Sequence, residues 1–184
     1  MKSLPWCRTS RIIHAVRVLA NVFHSQFDQS RVTKRWAEAL AEAGIETRFH
    51  SDEPLDIAAE HAACEQADRL IFVHPMHWYS GPWPLKRWID EVLTYGWAYG
   101  EESRIAGKEW VHAVSVGAGM EEYGLEGSRL YTVEEFMRPF ERTAGFCGAI
   151  YRPPFLFYGA GYRGDDDLAE FTLALLDFAR STRS

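Results

Sequence analysis

The sequence predicts a doubly wound, three-layer α/β domain on a five-stranded parallel sheet. Three observations predict it. Short β-branched or apolar runs alternate with segments of helical period along the chain. The run "RLIFVH" (69–74) is short, bounded by Asp68 and Pro75, and apolar from Leu70 to Val73, as befits a strand covered on both faces. The length of 184 residues suits one domain, and a chain of that size buries roughly 70% of its unfolded surface.

The elements follow in order. "AVRVLANVF" (15–23) reads as the first strand. Ser30 is placed to cap a helix whose Val32, Trp36, Ala39, Leu40 and Ala43 share one face. Gly44 ends that helix, and "IETRFH" (45–50) alternates as a second strand. "DIAAEHAACEQA" (56–67) is helical and leads into the third strand at 69–74. Pro82 and Pro84 open a helix with Leu85, Trp88, Ile89, Val92 and Leu93 inward and Lys86, Arg87, Asp90 and Glu91 outward. "EWVHAVSV" (109–116) is the fourth strand and runs into Gly-Ala-Gly. A helix over 132–146 is kinked or delayed at Pro139, and a fifth strand region over 147–158 is broken at Pro153 and Pro154. Asp165, Asp166 and Asp167 favour the start of a last helix, with Leu168, Phe171, Leu175 and Phe178 facing inward.

Composition narrows the function. A net charge of −6 without a Lys/Arg cluster leaves no electrostatic footprint for nucleic acid. Cys7, Cys64 and Cys147 are an odd number with no CxxC, which points to a reducing cytoplasm and to Cys64 as a half-buried structural residue. His61, His74, His77 and His112 lack metal-ligand spacing, so no metal is expected. No GxSxG occurs, and no window is long and apolar enough to span a membrane. Residues 1–14 read as an N-terminal extension, and 15–184 as the domain.

In such a sheet the ligand belongs at the carboxyl ends of the strands. Three of those ends are unusual. "FHSQFDQSRVTKR" (23–35) brings His24 and Ser30 to a helix N-terminus, a setting for phosphate; the plainer alternative is a surface histidine and an N-cap. "HPMHWYSGP" (74–82) offers backbone groups and the faces of Trp78 and Tyr79 to a flat heteroaromatic ring, where the alternative is core packing, the better reading for Trp88. "SVGAGMEEY" (115–123) supplies small residues that let a ligand approach the backbone.

These residues resemble a known family. "HPMHWYSGPWPLKRWIDEVLTYGWAYG" is similar to the signature of the flavodoxin-like NAD(P)H:quinone oxidoreductases, above all the ancillary quinone oxidoreductases of glutathione-gated potassium efflux systems. "DIAAEHAACEQADRL" and "RPPF" continue the likeness, which spans roughly residues 15–180. The resemblance implies a flavodoxin-like α/β/α sandwich, non-covalent FMN (FAD in some relatives), NAD(P)H as electron donor, and two-electron transfer to a quinone by a ping-pong cycle. By position it implies His24, Ser30, Arg31 and Val32 at the flavin phosphate. It puts Pro75, Met76, His77, Trp78 and Tyr79 along the isoalloxazine, and Ser115, Gly117, Ala118 and Gly119 at its other edge. It puts Tyr123 near the pyrimidine end of the ring, where it is a candidate proton donor or relay, and has Tyr99 enter the pocket from the second subunit of a homodimer. Three positions depart from the pattern. Ser115-Val116-Gly117-Ala118 replaces the common Thr-Thr-Gly-Gly, Thr33 stands where many members have Asn, and Arg129 stands six residues after the tyrosine, where some have His. The same likeness implies another reading, a regulatory subunit bound to the cytoplasmic face of a potassium efflux transporter. A single-electron carrier is a third, which the modest acidity disfavours.

Overall fold

A strand buried on both faces has to be apolar or to pair every polar side chain it carries, and the sheet is assembled around two such strands. The computed structural model describes residues 16–181; the extension expected over 1–14, and the Ala15 end of the first predicted strand, lie outside the described residues. The elements are β1 (Val18–Phe23), α1 (Val32–Glu42), β2 (Glu46–His50), α2 (Ile57–Gln66), β3 (Arg69–Pro75), α3 (Trp83–Val92), β4 (Glu109–Val116), α4 (Val133–Phe136), α5 (Arg138–Phe146), β5 (Ile150–Tyr151), β6 (Phe155–Tyr158) and α6 (Asp165–Arg180). The sheet order is β2-β1-β3-β4-β5, every pairing is parallel, and β6 shares the outer place beside β4 with β5. The prolines at 153 and 154 lack an N–H for the ladder, so the fifth strand is two short pieces.

The pleat divides the core in two. On one face Leu70, Phe72, Trp110 and Val114 pack against Cys64 of α2, Leu85 and Trp88 of α3, and Phe140 of α5. On the other, Ile71, Val73, Val111 and Ala113 pack against Trp36 and Leu40 of α1 and Leu168 and Leu175 of α6. All eight residues of β4 are buried. Three layers result, as the alternating pattern predicts.

Local chemistry sets the helix limits. Asp56 accepts a hydrogen bond from the Ala59 N–H at 3.1 Å and starts α2. Thr132 and Glu135 cap each other across the start of α4, at 3.2 and 2.7 Å. The helix expected over 132–146 is two helices that meet at Met137, with Pro139 in the first turn of α5, where its missing N–H costs nothing. Cys64 is fully buried rather than half-buried, and burial pushes its thiol up to about 12.

Two polar clusters are centred on buried carboxylates. At the amino ends of β3 and β4, Glu109 meets Arg69 and Arg152, each at 2.6 Å, with its own carboxylate buried. Arg69 also donates to the carbonyls of Phe178, Ala179 and Ser181, closing the end of α6. Nearer the other edge, Glu60 accepts from Arg48 at 2.6 Å and from the Trp88 indole at 2.8 Å, while His50 lies 3.1 Å from Asn21.

Removing one member of a buried ion cluster strands the others. Glu109→Ala should lower unfolding free energy in urea by about 3–5 kcal/mol, and a loss below about 1 kcal/mol would refute the clamp. Burial also sets an acid limit. It holds the imidazoles of His50 and His74 near 4 and depresses that of His112 further below its ordinary range. The unfolded chain therefore takes up these protons first, so their contribution is complete above roughly pH 6.5. It drains away as pH falls toward about 4, by at most roughly 3 kcal/mol for each of His50 and His74. Urea midpoints should fall over that window, with a shallower slope in His50→Asn; parallel slopes would contradict this.

Candidate active site

From β1 the chain moves outward to β2 and then returns to β3 on the opposite side, so a crevice opens between the loops after β1 and β3. The loop after β4 closes its far side. These are the three loops that the sequence singles out.

After β1, the His24 Nδ1 accepts the Gln26 N–H at 2.9 Å, which leaves the ring proton on Nε2. Desolvation lowers the His24 pKa, so the ring is a neutral donor. Ser30 has extended backbone, and its Oγ accepts the Thr33 N–H at 3.1 Å, so Ser30 caps α1 as expected. Arg31 turns away, pairing with Asp165 at 2.7 Å and with the Arg163 carbonyl at 2.5 Å. Val32 packs in the core, which leaves its backbone as the part that can meet a ligand. Thr33, next on the helix, is buried with no partner for its Oγ1.

After β3, the Met76 N–H donates to the Ser115 carbonyl at 2.8 Å, carrying the ladder one step past Pro75. His77 and Ser80 then exchange backbone hydrogen bonds at 2.8 and 3.0 Å around a two-residue turn. Its central residues, Trp78 and Tyr79, have φ of 50° and 62°. Such turns favour Asn-Gly because both central residues lie in the left-handed region. Two bulky aromatics there store backbone strain that only the surroundings or a function would sustain. Tyr79 is held by the Phe136 ring at 4.9 Å, whereas Trp78 is 94% exposed.

After β4, Gly117 and Ala118 face Met76, Trp78 and Tyr79 across a cavity of about 240 Å³, which Tyr123 and Arg129 also line. The Gly119 N–H reaches the Glu122 carboxylate at 3.4 Å. The Tyr123 hydroxyl has one neighbouring acceptor, the Met76 sulfur at 3.9 Å, and burial raises its pKa, so it stays protonated and able to donate. Of the expected site residues, the structure gathers Met76, Trp78, Tyr79, Gly117, Ala118 and Tyr123 around one cavity, beside the buried end of β4 at Ser115. His24 approaches His77, with ring centroids 5.9 Å apart. Tyr99 does not join them within this chain; it packs against Phe146 and Tyr95 on another surface. Arg129 is absent from the site residues drawn from the sequence. Its signal was the spacing of six residues from Tyr123, visible there only as a departure.

The family model described as "Flavodoxin-like fold" matches residues 14–179. The chain belongs to this family. Within it, the chain is 36% identical over 161 residues to an uncharacterised NAD(P)H oxidoreductase of Bacillus subtilis, covering 84% of this chain and 82% of that one. It is 36% identical over 141 residues to the ancillary protein of the glutathione-regulated potassium-efflux system of Klebsiella aerogenes, covering 73% of this chain and 78% of the relative. Among solved members of the flavodoxin-like fold, general stress protein 14 of Treponema denticola, in complex with FMN, superposes with a TM-score of 0.78 at 34% identity. That match covers 89% of this chain and 99% of the other.

The strained turn has a direct test. Trp78→Gly should keep or raise the melting temperature, since relief of roughly 1 kcal/mol of left-handed strain offsets the entropy that glycine adds to the unfolded chain. A drop of more than about 5 °C, the size expected of roughly 1 kcal/mol or more, would show that the indole belongs to the core.

Proposed function

We propose that this chain is an FMN-dependent NAD(P)H:quinone oxidoreductase, transferring two electrons by a ping-pong cycle. The observation that carries the reading is the left-handed Trp78–Tyr79 turn facing Gly117 and Ala118 across the cavity. Its backbone edges and aromatic faces suit a planar heterocycle, and its strain has no counterpart in the fold's needs. The residues present fit the cofactor. The buried Thr33 Oγ1 lacks a partner in the first turn of α1, three residues after Ser30, and His24 on the same loop carries a free Nε2–H, so a phosphate would find donors and the positive end of the helix. The relatives support the same reading through the FMN complex and the oxidoreductase name.

Bound FMN would supply the ring that accepts and returns hydride. The rest falls to the protein. Ser30, Thr33 and the start of α1, with Arg31 and Val32 contributing backbone, hold the phosphate end. Met76 to Tyr79 fix the plane of the ring, with Pro75 anchoring that segment to the sheet. Backbone N–H groups at Gly117 to Gly119, next to Ser115, favour negative charge along the opposite edge. Tyr123 keeps its proton and donates it, as hydrogen bond or as acid, to the acceptor oxygen. One small opening serves both nicotinamide and quinone, which supports their binding in turn. A homodimer fits the exposed Trp78 and the separate aromatic surface of Tyr95, Tyr99 and Phe146, which a second copy would cover. The likeness to the potassium-efflux ancillary protein favours a second role as a transporter's regulatory partner, for which co-purification with such a transporter is the test.

Protein purified with FMN should be yellow, quench flavin fluorescence and oxidise NAD(P)H when a quinone is present. Tyr123→Phe should retain FMN and lose turnover by about a hundredfold. Colourless protein with no NAD(P)H oxidation would overturn the assignment.

A further inference from the structure

Arg129 is the one charged residue lining the cavity. It is brought there by a loop built at some cost. The Arg129 N–H donates to the Glu122 carbonyl at 2.9 Å, and the Gly124 N–H to the Tyr131 carbonyl at 3.1 Å, folding residues 122–131 back on themselves. Gly127 lies so close to that turn that a Cβ would sit 2.3 Å from the Glu122 carbonyl oxygen. Leu130 has a φ of 66°, and the Tyr131 N–H donates across it to the Arg129 carbonyl at 2.8 Å, a strained γ-turn. A solvated surface arginine needs none of this.

The guanidinium is aimed and only partly used. One terminal nitrogen donates to the Tyr79 hydroxyl at 3.2 Å, the other pairs with Glu122 at 3.2 Å, and the carbon of the group lies 5.6 Å from the Tyr123 ring centre. With side chains 33% and 38% exposed, the Arg129–Glu122 pair is a weak tether. Each terminal nitrogen keeps a second N–H. A permanent cation with spare donors, at the wall where flat rings are expected, recognises an anion at a ring's margin.

We propose that Arg129 makes this pocket selective for aromatic or quinonoid acceptors bearing an acidic substituent, a carboxylate or sulfonate. The inference rests on the acceptor meeting the flavin at the Tyr123–Arg129 side of this cavity, where the proposed function has Tyr123 donate to the acceptor oxygen. Glu122 opposes the selectivity, since its carboxylate competes with the incoming anion for the same guanidinium. The two residues therefore act with opposite signs, which a merely structural ion pair would not do.

The test is equilibrium titration of oxidised, FMN-loaded protein with two non-reducible probes of matched shape, a naphthalenesulfonate and a neutral naphthalenemethanol. The sulfonate should bind about tenfold more tightly, the worth of a charge-assisted hydrogen bond. Arg129→Met should abolish that preference while leaving the alcohol unchanged, Arg129→Lys should keep part of it, and Glu122→Gln should increase it. Equal affinities in the parent protein would overturn the proposal. So would Arg129→Met and Glu122→Gln weakening both probes alike, the mark of a loop that merely needs its ion pair. Reduction of an uncharged quinone by NAD(P)H reports separately on the proposed function. Turnover without sulfonate preference defeats the selectivity alone, whereas preference without turnover defeats the oxidoreductase reading and leaves Arg129 only as an anion-binding group of the cavity.

Discussion

A chain of hydrogen bonds runs through the middle of the sheet in one direction and ends at Pro75, the last residue of β3. The Trp110 indole can only donate, and it donates to the His112 Nε2 at 2.9 Å. That fixes the His112 proton on Nδ1, which faces the His74 Nε2 at 2.9 Å. His74 then carries its proton on Nδ1 and gives it to the Pro75 carbonyl at 3.0 Å. Both rings are fully buried and burial keeps them uncharged, so each ring nitrogen on this path has one role and one partner. Two imidazoles inside a doubly covered parallel sheet are tolerable only under that condition. The end of β3 is thereby tied to the interior of β4, in addition to their own ladder.

That tie explains where strain can be kept. Left-handed aromatics at Trp78 and Tyr79 begin three residues beyond Pro75, and the γ-turn at Leu130 follows Arg129 directly. Strained residues of this kind persist when neighbouring structure fixes their ends. Met76 is bonded to Ser115, His77 to Ser80, and Arg129 to both Glu122 and Tyr79. Rigidity is concentrated at the carboxyl edge of β3 and β4, and the exposed chemistry is mounted on it.

Much of this was legible in the sequence, for identifiable reasons. The layer order follows from the alternation of apolar runs with helical periods, and the break of the fifth strand from Pro153 and Pro154, whose missing N–H groups no tertiary context restores. The split at Met137 was visible only as a kink at Pro139, because proline is compatible both with the interior of a bent helix and with the first turn of a new one. The full burial of Cys64 depends on how closely α2 lies against β3, which periodicity does not encode. The aromatic turn was legible as a loop at the carboxyl end of β3, but not as a strained one, since no rule assigns left-handed backbone to Trp-Tyr. Arg129 escaped for the opposite reason. Its place depends on a loop with no period, whose glycines mark a turn without saying what the turn delivers.

The two ends of the crevice are built on different principles. At the α1 end the donors are neutral: the Nε2–H of His24, the Ser30 and Thr33 hydroxyls and the first turn of the helix. Arg31, the cation nearest by sequence, is drawn off by Asp165 and the Arg163 carbonyl. A phosphate held there would rely on hydrogen bonds and helix dipole rather than on a point charge. At the far end the cation is present and partly exposed, with a partly exposed carboxylate and the Tyr79 hydroxyl against it. In the proposed function, charge is withheld from the cofactor's phosphate end and offered at the acceptor's end. That is the arrangement expected of a site that keeps one partner by shape and exchanges another.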